Sequence, residues 1–134
     1  PSLVKKMFDV MVNKNEIDIV NASRWKRKKL IIKDYGFFNS IMNFIFQKIC
    51  QIIFGSNITD FTAGFRMYKT EKIKNKKFYF YDKRFSLENI ILPLKNKHFS
   101  IEEIDWEWKK RSESISTNSF FKKTKFFSVI FRYL

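Results

Sequence analysis

One cysteine and one histidine stand in 134 residues, and acidic side chains are outnumbered by basic ones, 13 to 27. The lone Cys50 excludes an internal disulfide, and with only His98 beside it a structural zinc site has too few ligands. No N-terminal stretch has the layout of a secretory signal. No uninterrupted apolar run reaches the roughly 20 residues that must cross a bilayer. Neither an internal repeat nor a low-complexity linker is present. The shortage of acid leaves a formal net charge of +14, which calls for an acidic partner, an anionic membrane surface or a codon bias toward Lys, Asn, Ile and Phe. The length predicts one domain with a core, not two. The chain begins with Pro1 and ends inside an apolar run, so it reads as a piece of a longer protein.

What is there is basic and aromatic. The lysines are spread along the chain, with clusters at Arg24 to Lys29 and at Lys122, Lys123 and Lys125. Each cluster lies beside an apolar helix-like stretch, an arrangement that suits an anionic bilayer surface better than a groove in DNA. A membrane surface is therefore the expected partner, and nucleic acid is not.

Leu3, Val4, Met7, Phe8 and Met11 recur at helical spacing and predict an amphipathic helix over 2–13. Residues 17–22 are nearly continuous in apolar character at their centre, as in a buried parallel strand. From Phe37 to Phe54 apolar pairs step by about one helical turn, with Asn39, Asn43, Gln47 and Gln51 as a polar stripe. Such a helix is either packed under a sheet or lying in a membrane interface, and the preceding basic cluster favours the interface. Cys50 falls on it and reads as core. Gly55 is a natural helix stop. Residues 64–69 read as a strand and Thr70 as the N-cap of a short helix over 70–73. Residues 76–84 read as a loop, and 85–97 as a helix that Pro93 should kink or end early. Alternation of Ile104, Trp106 and Trp108 with acidic residues predicts a half-buried strand. A Ser/Thr-rich loop over 111–118 and a basic aromatic helix from Phe120 follow. The order predicts an α/β unit.

The densest chemistry lies in Asn57 to Tyr68, where Asp60 and Arg66 bracket Thr62, Ala63 and Gly64. Backbone can approach a ligand closely at such small residues, and an arginine fork donates two parallel bonds to phosphate. The plainer alternative is a turn closed by an Asp60–Arg66 ion pair. Arg24 reads as a cleft residue or as a solvated loop charge, Glu88 as a helix-start carboxylate, and Trp25 as an interfacial anchor.

Four segments, taken in order, carry a resemblance. Asp18-Ile19-Val20-Asn21-Ala22-Ser23-Arg24-Trp25 resembles the DIV.GSRY strand end of glycosyltransferase family 2, in the branch of dolichyl-phosphate mannose synthase and bacterial polyprenyl-phosphate glycosyltransferases. Gly55 through Arg66 resembles that branch's G..VSDPTSGFR, with Phe61 for Pro and Ala63 for Ser. Phe85-Ser86-Leu87-Glu88 is similar to its FE.E helix start. Ile101, Glu103, Ile104, Trp108, Arg111 and Ser116 match its I.EVPI.F..R..G.SK. Departures include Ser114 for Gly, Thr117 for Lys, His98 for Gly and Asp105 for Pro.

The resemblance implies the C-terminal part of a GT-A, Rossmann-like fold: an incomplete mixed sheet with amphipathic helices over residues 1–118, then a juxtamembrane-type helix over 119–134. It implies an inverting transfer of a hexose from a nucleotide sugar to a polyprenyl phosphate or lipid-linked saccharide at the cytoplasmic face of a membrane. Asp60 is then the catalytic carboxylate. Ser23, Arg24 and Arg66 would bind donor and phosphate, Arg111 and Ser116 would close on the acceptor phosphate, and Glu88 and Thr62 are secondary candidates. A Mg or Mn ion is implied, with its Asp-X-Asp ligands upstream of Pro1 and none in this chain, so the chain alone is expected to be inactive. The alternative is a non-catalytic basic module bound to a membrane surface.

Overall fold

The computed structural model describes residues 2–26, 36–96, 99–107 and 124–134. It is a mixed α/β arrangement around a small three-stranded mixed sheet. The elements run α1 (Ser2–Asn13), β1 (Ile19–Ser23), α2 (Phe37–Phe54), β2 (Arg66–Tyr68), α3 (Thr70–Ile73), α4 (Phe85–Lys95), β3 (Ile101–Asp105) and α5 (Lys125–Tyr133).

The central strand is β1, buried at every position. It pairs antiparallel with β2, setting Asn21 opposite Arg66, and parallel with β3, setting Asn21 opposite Glu103. Successive side chains of a strand point to opposite faces, and here the two faces carry different cores. Ile19 joins Cys50, Phe61, Leu87, Ile90, Ile91, Val129 and Ile130 under α2, α4 and α5. Val20 and Ala22 join Met7, Ile17 and Ile104 under α1.

Several boundaries differ from the sequence reading. The first strand starts at Ile19 because Ile17 is still turning, its N–H donating to the Lys14 carbonyl at 2.9 Å. β3 covers Ile101–Asp105 and stops short of Trp106. The Trp106 N–H bonds the Ser23 carbonyl at 2.9 Å, and there β1 turns away into Arg24. Thr70 is the first helical residue of α3 and Lys69 occupies the cap position. The Lys69 N–H instead prolongs the β1 ladder, reaching the Asp18 carbonyl at 3.0 Å. Trp25 is a buried core residue packed 6.0 Å from the Phe44 ring, not an exposed anchor.

α2 ends where expected. Gly55 takes the left-handed conformation at φ 56° and its N–H reaches the Gln51 carbonyl, a close that other residues adopt at a cost. α4 runs only two residues past Pro93 and ends at Lys95, short of the 97 that the pattern suggested. A proline lacks the N–H that would bond the carbonyl four residues earlier. That carbonyl belongs to Asn89, and the Tyr68 hydroxyl takes it at 3.2 Å. Glu88, fully buried on the same helix, accepts the N–H groups of Tyr79 and Phe80 and the Tyr133 hydroxyl at 2.6 Å. It ties loop 76–84 and α5 to the core. Burial and this carboxylate contact push the Tyr133 phenol well above its ordinary range.

Candidate functional site

Three polar side chains cross the sheet in one row, Arg66 on β2, Asn21 on β1 and Glu103 on β3. The Asn21 carbonyl oxygen accepts Arg66 Nε at 2.7 Å, and its amide donates to Glu103 Oε1 at 2.7 Å and to the Asp60 carbonyl at 2.9 Å. Onto this row the loop between α2 and β2 is laid. The second Glu103 oxygen accepts the Thr59 N–H at 2.8 Å and the Thr59 hydroxyl at 2.7 Å. A hydroxyl has one proton to give. With the Thr59 proton on Glu103, the Ser23 hydroxyl 2.5 Å away must be the donor to Thr59. Ser23 in turn accepts the Trp25 N–H at 3.0 Å.

Asp60 is completely buried at the end of this network. Its carboxylate is gripped by Arg24 in a two-pronged pair, Nε to Oδ2 at 2.7 Å and Nη2 to Oδ1 at 2.8 Å, with the Arg24 N–H adding a third bond at 3.2 Å. Thr62 joins them, its hydroxyl oxygen accepting Arg24 Nη2 at 3.0 Å and its N–H donating to Asp60 Oδ1 at 3.2 Å. So Ser23, Arg24, Asp60 and Thr62 are brought together although 36 residues separate Arg24 from Asp60. Arg24 is not a solvated loop charge.

Arg66 lies under the loop, and the carboxylate it was expected to face belongs to Arg24. Its Nε bonds Asn21, Nη1 bonds the Ser86 carbonyl and Asn89 Oδ1, and Nη2 bonds the carbonyls of Asp60 and Phe61. A guanidinium has five N–H donors, and these five acceptors account for them. Burial draws its pKa down from the ordinary arginine value, opposed by Tyr68 and Asp60. As placed, Arg66 fixes the loop to β1 and α4; a phosphate would have to displace one of these partners.

α2 closes the site from the other side, and it does so with its polar stripe. Ser40, Asn43 and Gln47 are buried. Gln47 Oε1 accepts the Phe61 N–H at 2.7 Å, and its amide donates to the Thr62 hydroxyl at 3.0 Å. Gln51 donates to the Ile58 carbonyl at 2.7 Å. Two buried donors, Trp25 Nε1 and Asn43 Nδ2, find no partner among the described residues. Behind the loop a groove of about 290 Å³ opens between Ser56, Asn57 and Ile58 on one side and Leu94, Phe99 and Ile101 on the other, with Glu103 also lining it.

Glu88 lies outside this cluster, in the structural role described above. Arg111 and Ser116, with His98 and Trp108, lie outside the described residues. Among the described residues no group of three His, Cys, Asp or Glu side chains converges to hold a metal ion. The residues that sequence reasoning missed are Asn21, Gln47, Thr59, Glu103 and Asn89. The available signal was an amide inside an otherwise apolar buried strand, Asn21, which needs polar partners on both neighbouring strands. The chain matches no family model, no curated protein and no solved structure in the comparisons made with them.

Proposed function

We propose that this chain supplies the acceptor side of an inverting glycosyltransferase that moves a hexose from a nucleotide sugar to a polyprenyl phosphate or lipid-linked saccharide at the cytoplasmic face of a membrane. The observation that supports this reading is the convergence of Ser23, Arg24, Asp60 and Thr62 at the C-terminal end of β1. Loops beyond strand carboxyl ends are where α/β sheets hold ligands. Arg24 is the phosphate contact: its planar fork, held toward the site by Asp60, matches a phosphate as it matches a carboxylate. Asp60 holds Arg24 in place at the reaction centre, beside the acceptor. Arg66, Asn21 and Glu103 hold the loop that carries Asp60, and misplacing such a loop costs rate without touching substrate.

Joined to a nucleotide-binding half, the chain should pass labelled hexose to polyprenyl phosphate, and Asp60→Asn should lower turnover at least about 100-fold. Sugar transfer by the isolated 134 residues would contradict the proposed division of labour. A second reading, a non-catalytic module on an anionic membrane, is favoured by the net charge of +14 and by the apolar outer side of α2. It expects vesicle binding that survives Asp60→Asn and Arg66→Ala, with no transfer in any context.

A further inference from the structure

A hydroxyl oxygen can accept two hydrogen bonds and donate one. The Thr62 hydroxyl has both acceptor places filled, by Arg24 Nη2 and by Gln47 Nε2, each at 3.0 Å. Neither donor can be reversed. A guanidinium only donates, and the Gln47 amide is fixed by its other end, where Oε1 accepts the Phe61 N–H at 2.7 Å. The Thr62 proton must therefore be given away. Its acceptor among the described residues is Asp60 Oδ1 at 3.4 Å, a long reach for an O–H donor, which settles at about 2.7–2.8 Å. That oxygen already accepts Arg24 Nη2 at 2.8 Å and the Thr62 N–H at 3.2 Å. We infer that the Thr62 hydroxyl is a donor held ready for a phosphate oxygen of the acceptor, and that Gln47 is the positioning residue that keeps its proton available.

This inference rests on the phosphate reading of Arg24 above and adds the group that meets the same phosphate beside it. Thr62 Oγ1 lies 3.0 Å from Arg24 Nη2, close enough for both residues to reach oxygens of one phosphate. Exposure fits the assignment: Asp60 is completely buried, whereas Thr62 keeps part of its surface open to solvent. The hydrogen-bond count fits as well. Along the line Arg24, Thr62, Gln47, Asn43 every link is an N–H given to an oxygen. At the far end Asn43 Nδ2 finds no acceptor among the described residues. The line has donors to spare and is short of acceptors. Ionised phosphate oxygens supply acceptors and bring no proton, whereas a sugar hydroxyl must also place a proton of its own. Turning Thr62 to a phosphate costs the site little, since Asp60 keeps both Arg24 prongs and the Thr62 N–H.

The test is titration of the full chain with geranyl phosphate, a short polyprenyl phosphate, and with inorganic phosphate. The contact is to the phosphate itself, so Thr62→Val should weaken binding of both at least about tenfold. Thr62→Ser, which keeps the hydroxyl, should stay within about threefold of the parent. Gln47→Glu keeps the Phe61 bond but offers Thr62 an acceptor in place of a donor, which draws its proton back into the protein. It should weaken geranyl phosphate binding at least about tenfold. In the Thr62→Val background it should add little, as for residues that act through one another. Thr62→Val, at a half-buried site, keeps the test open if Gln47→Glu does not fold. No phosphate binding by the parent, parent-like binding by Thr62→Val, or an equal loss in Thr62→Ser would each overturn the donor role. A Gln47→Glu loss of the same size with and without the Thr62 hydroxyl would be charge repulsion and would overturn the positioning role. Inorganic phosphate bound as tightly as geranyl phosphate would overturn the assignment to the acceptor. None of these readouts involves sugar transfer. Thr62-dependent phosphate binding with no transfer by the fusion sinks the transferase reading alone, and an active fusion indifferent to Thr62→Val sinks this inference alone.

Discussion

α1 and α2 are both amphipathic helices flanking the same sheet, one on each face, yet they are mounted in opposite senses. α1 turns Met7 inward with Leu3, Val10 and Met11 against Val20 and Ala22. α2 turns Ser40, Asn43 and Gln47 inward and leaves much of its apolar surface outside. The difference follows from what each must cover. Under α1 lie apolar side chains and a satisfied strand ladder. Under α2 lies the loop 56–62, an irregular segment whose main-chain groups at Ile58 and Phe61 have no ladder to join and would be costly to bury unpaired. The amides of Gln47 and Gln51 supply those partners. Amphipathic pattern alone therefore fixes the axis of a helix and not which side faces in.

If the α2 side of the sheet is held by polar bonds and the α1 side by apolar packing, the largest loss should come from removing the acceptor at the centre of the network. Glu103→Ala strands the Thr59 N–H and hydroxyl and the Asp60 N–H. It should cost about 3 kcal/mol in a urea melt. Met7→Ala, the matching truncation on the other side, should cost about 2 kcal/mol. The reverse order would put the centre of stability under α1. Next in size is Gln47→Leu, which removes the partner of the Phe61 N–H. A loss of about 2 kcal/mol is expected, with faster hydrogen exchange at Phe61 as the local signature.

How far these features could be read from sequence divides along the same line. The span of α2, its stop at Gly55 and the burial of Cys50 were legible because they depend on local spacing and backbone preference. The direction of α2 was not, since it depends on a loop folded beneath it. The Asp60 carboxylate, which the plainer alternative paired with Arg66 six residues away, is held by Arg24 for the same reason. Sheet register places Asn21 between Arg66 and Glu103, and Asn21 takes the Arg66 Nε that a sequence neighbour would otherwise claim. Pairings fixed across 36 to 82 residues leave no periodic trace in the chain.

The inner face of α2 also makes a prediction about pH. Burial pushes the Cys50 thiol up to about 12 from an ordinary value of 9.0. The folded state then keeps a proton that the unfolded state releases above 9.0, so stability falls as pH rises from there to about 12. The slope should approach 1.4 kcal/mol per pH unit at most. Cys50→Ala should flatten that decline in alkaline melts, and in the parent protein the thiol should resist alkylation until the fold opens. A Cys50→Ala profile as steep as the parent's would assign the decline to other groups.

The smallest expected effect has the opposite sign to the rest. Gln47 is oriented by the Phe61 N–H, which can only donate, so the Gln47 carbonyl faces Phe61 and its amide faces Thr62 and, at 3.4 Å, Asn43 Oδ1. The Asn43 oxygen is thereby turned to Gln47 and its own amide is left over, buried and without a partner among the described residues. An unpaired buried donor carries its desolvation cost with no return, and replacing it with an apolar group of similar shape is neutral or favourable. Asn43→Leu should therefore leave the melting midpoint unchanged or raise it, by a gain within about 1 kcal/mol. Gln47→Leu, one turn along the same face, lowers it. If both substitutions cost the same, the inner face of α2 works through bulk rather than through individual hydrogen bonds, and its inverted mounting would need another cause.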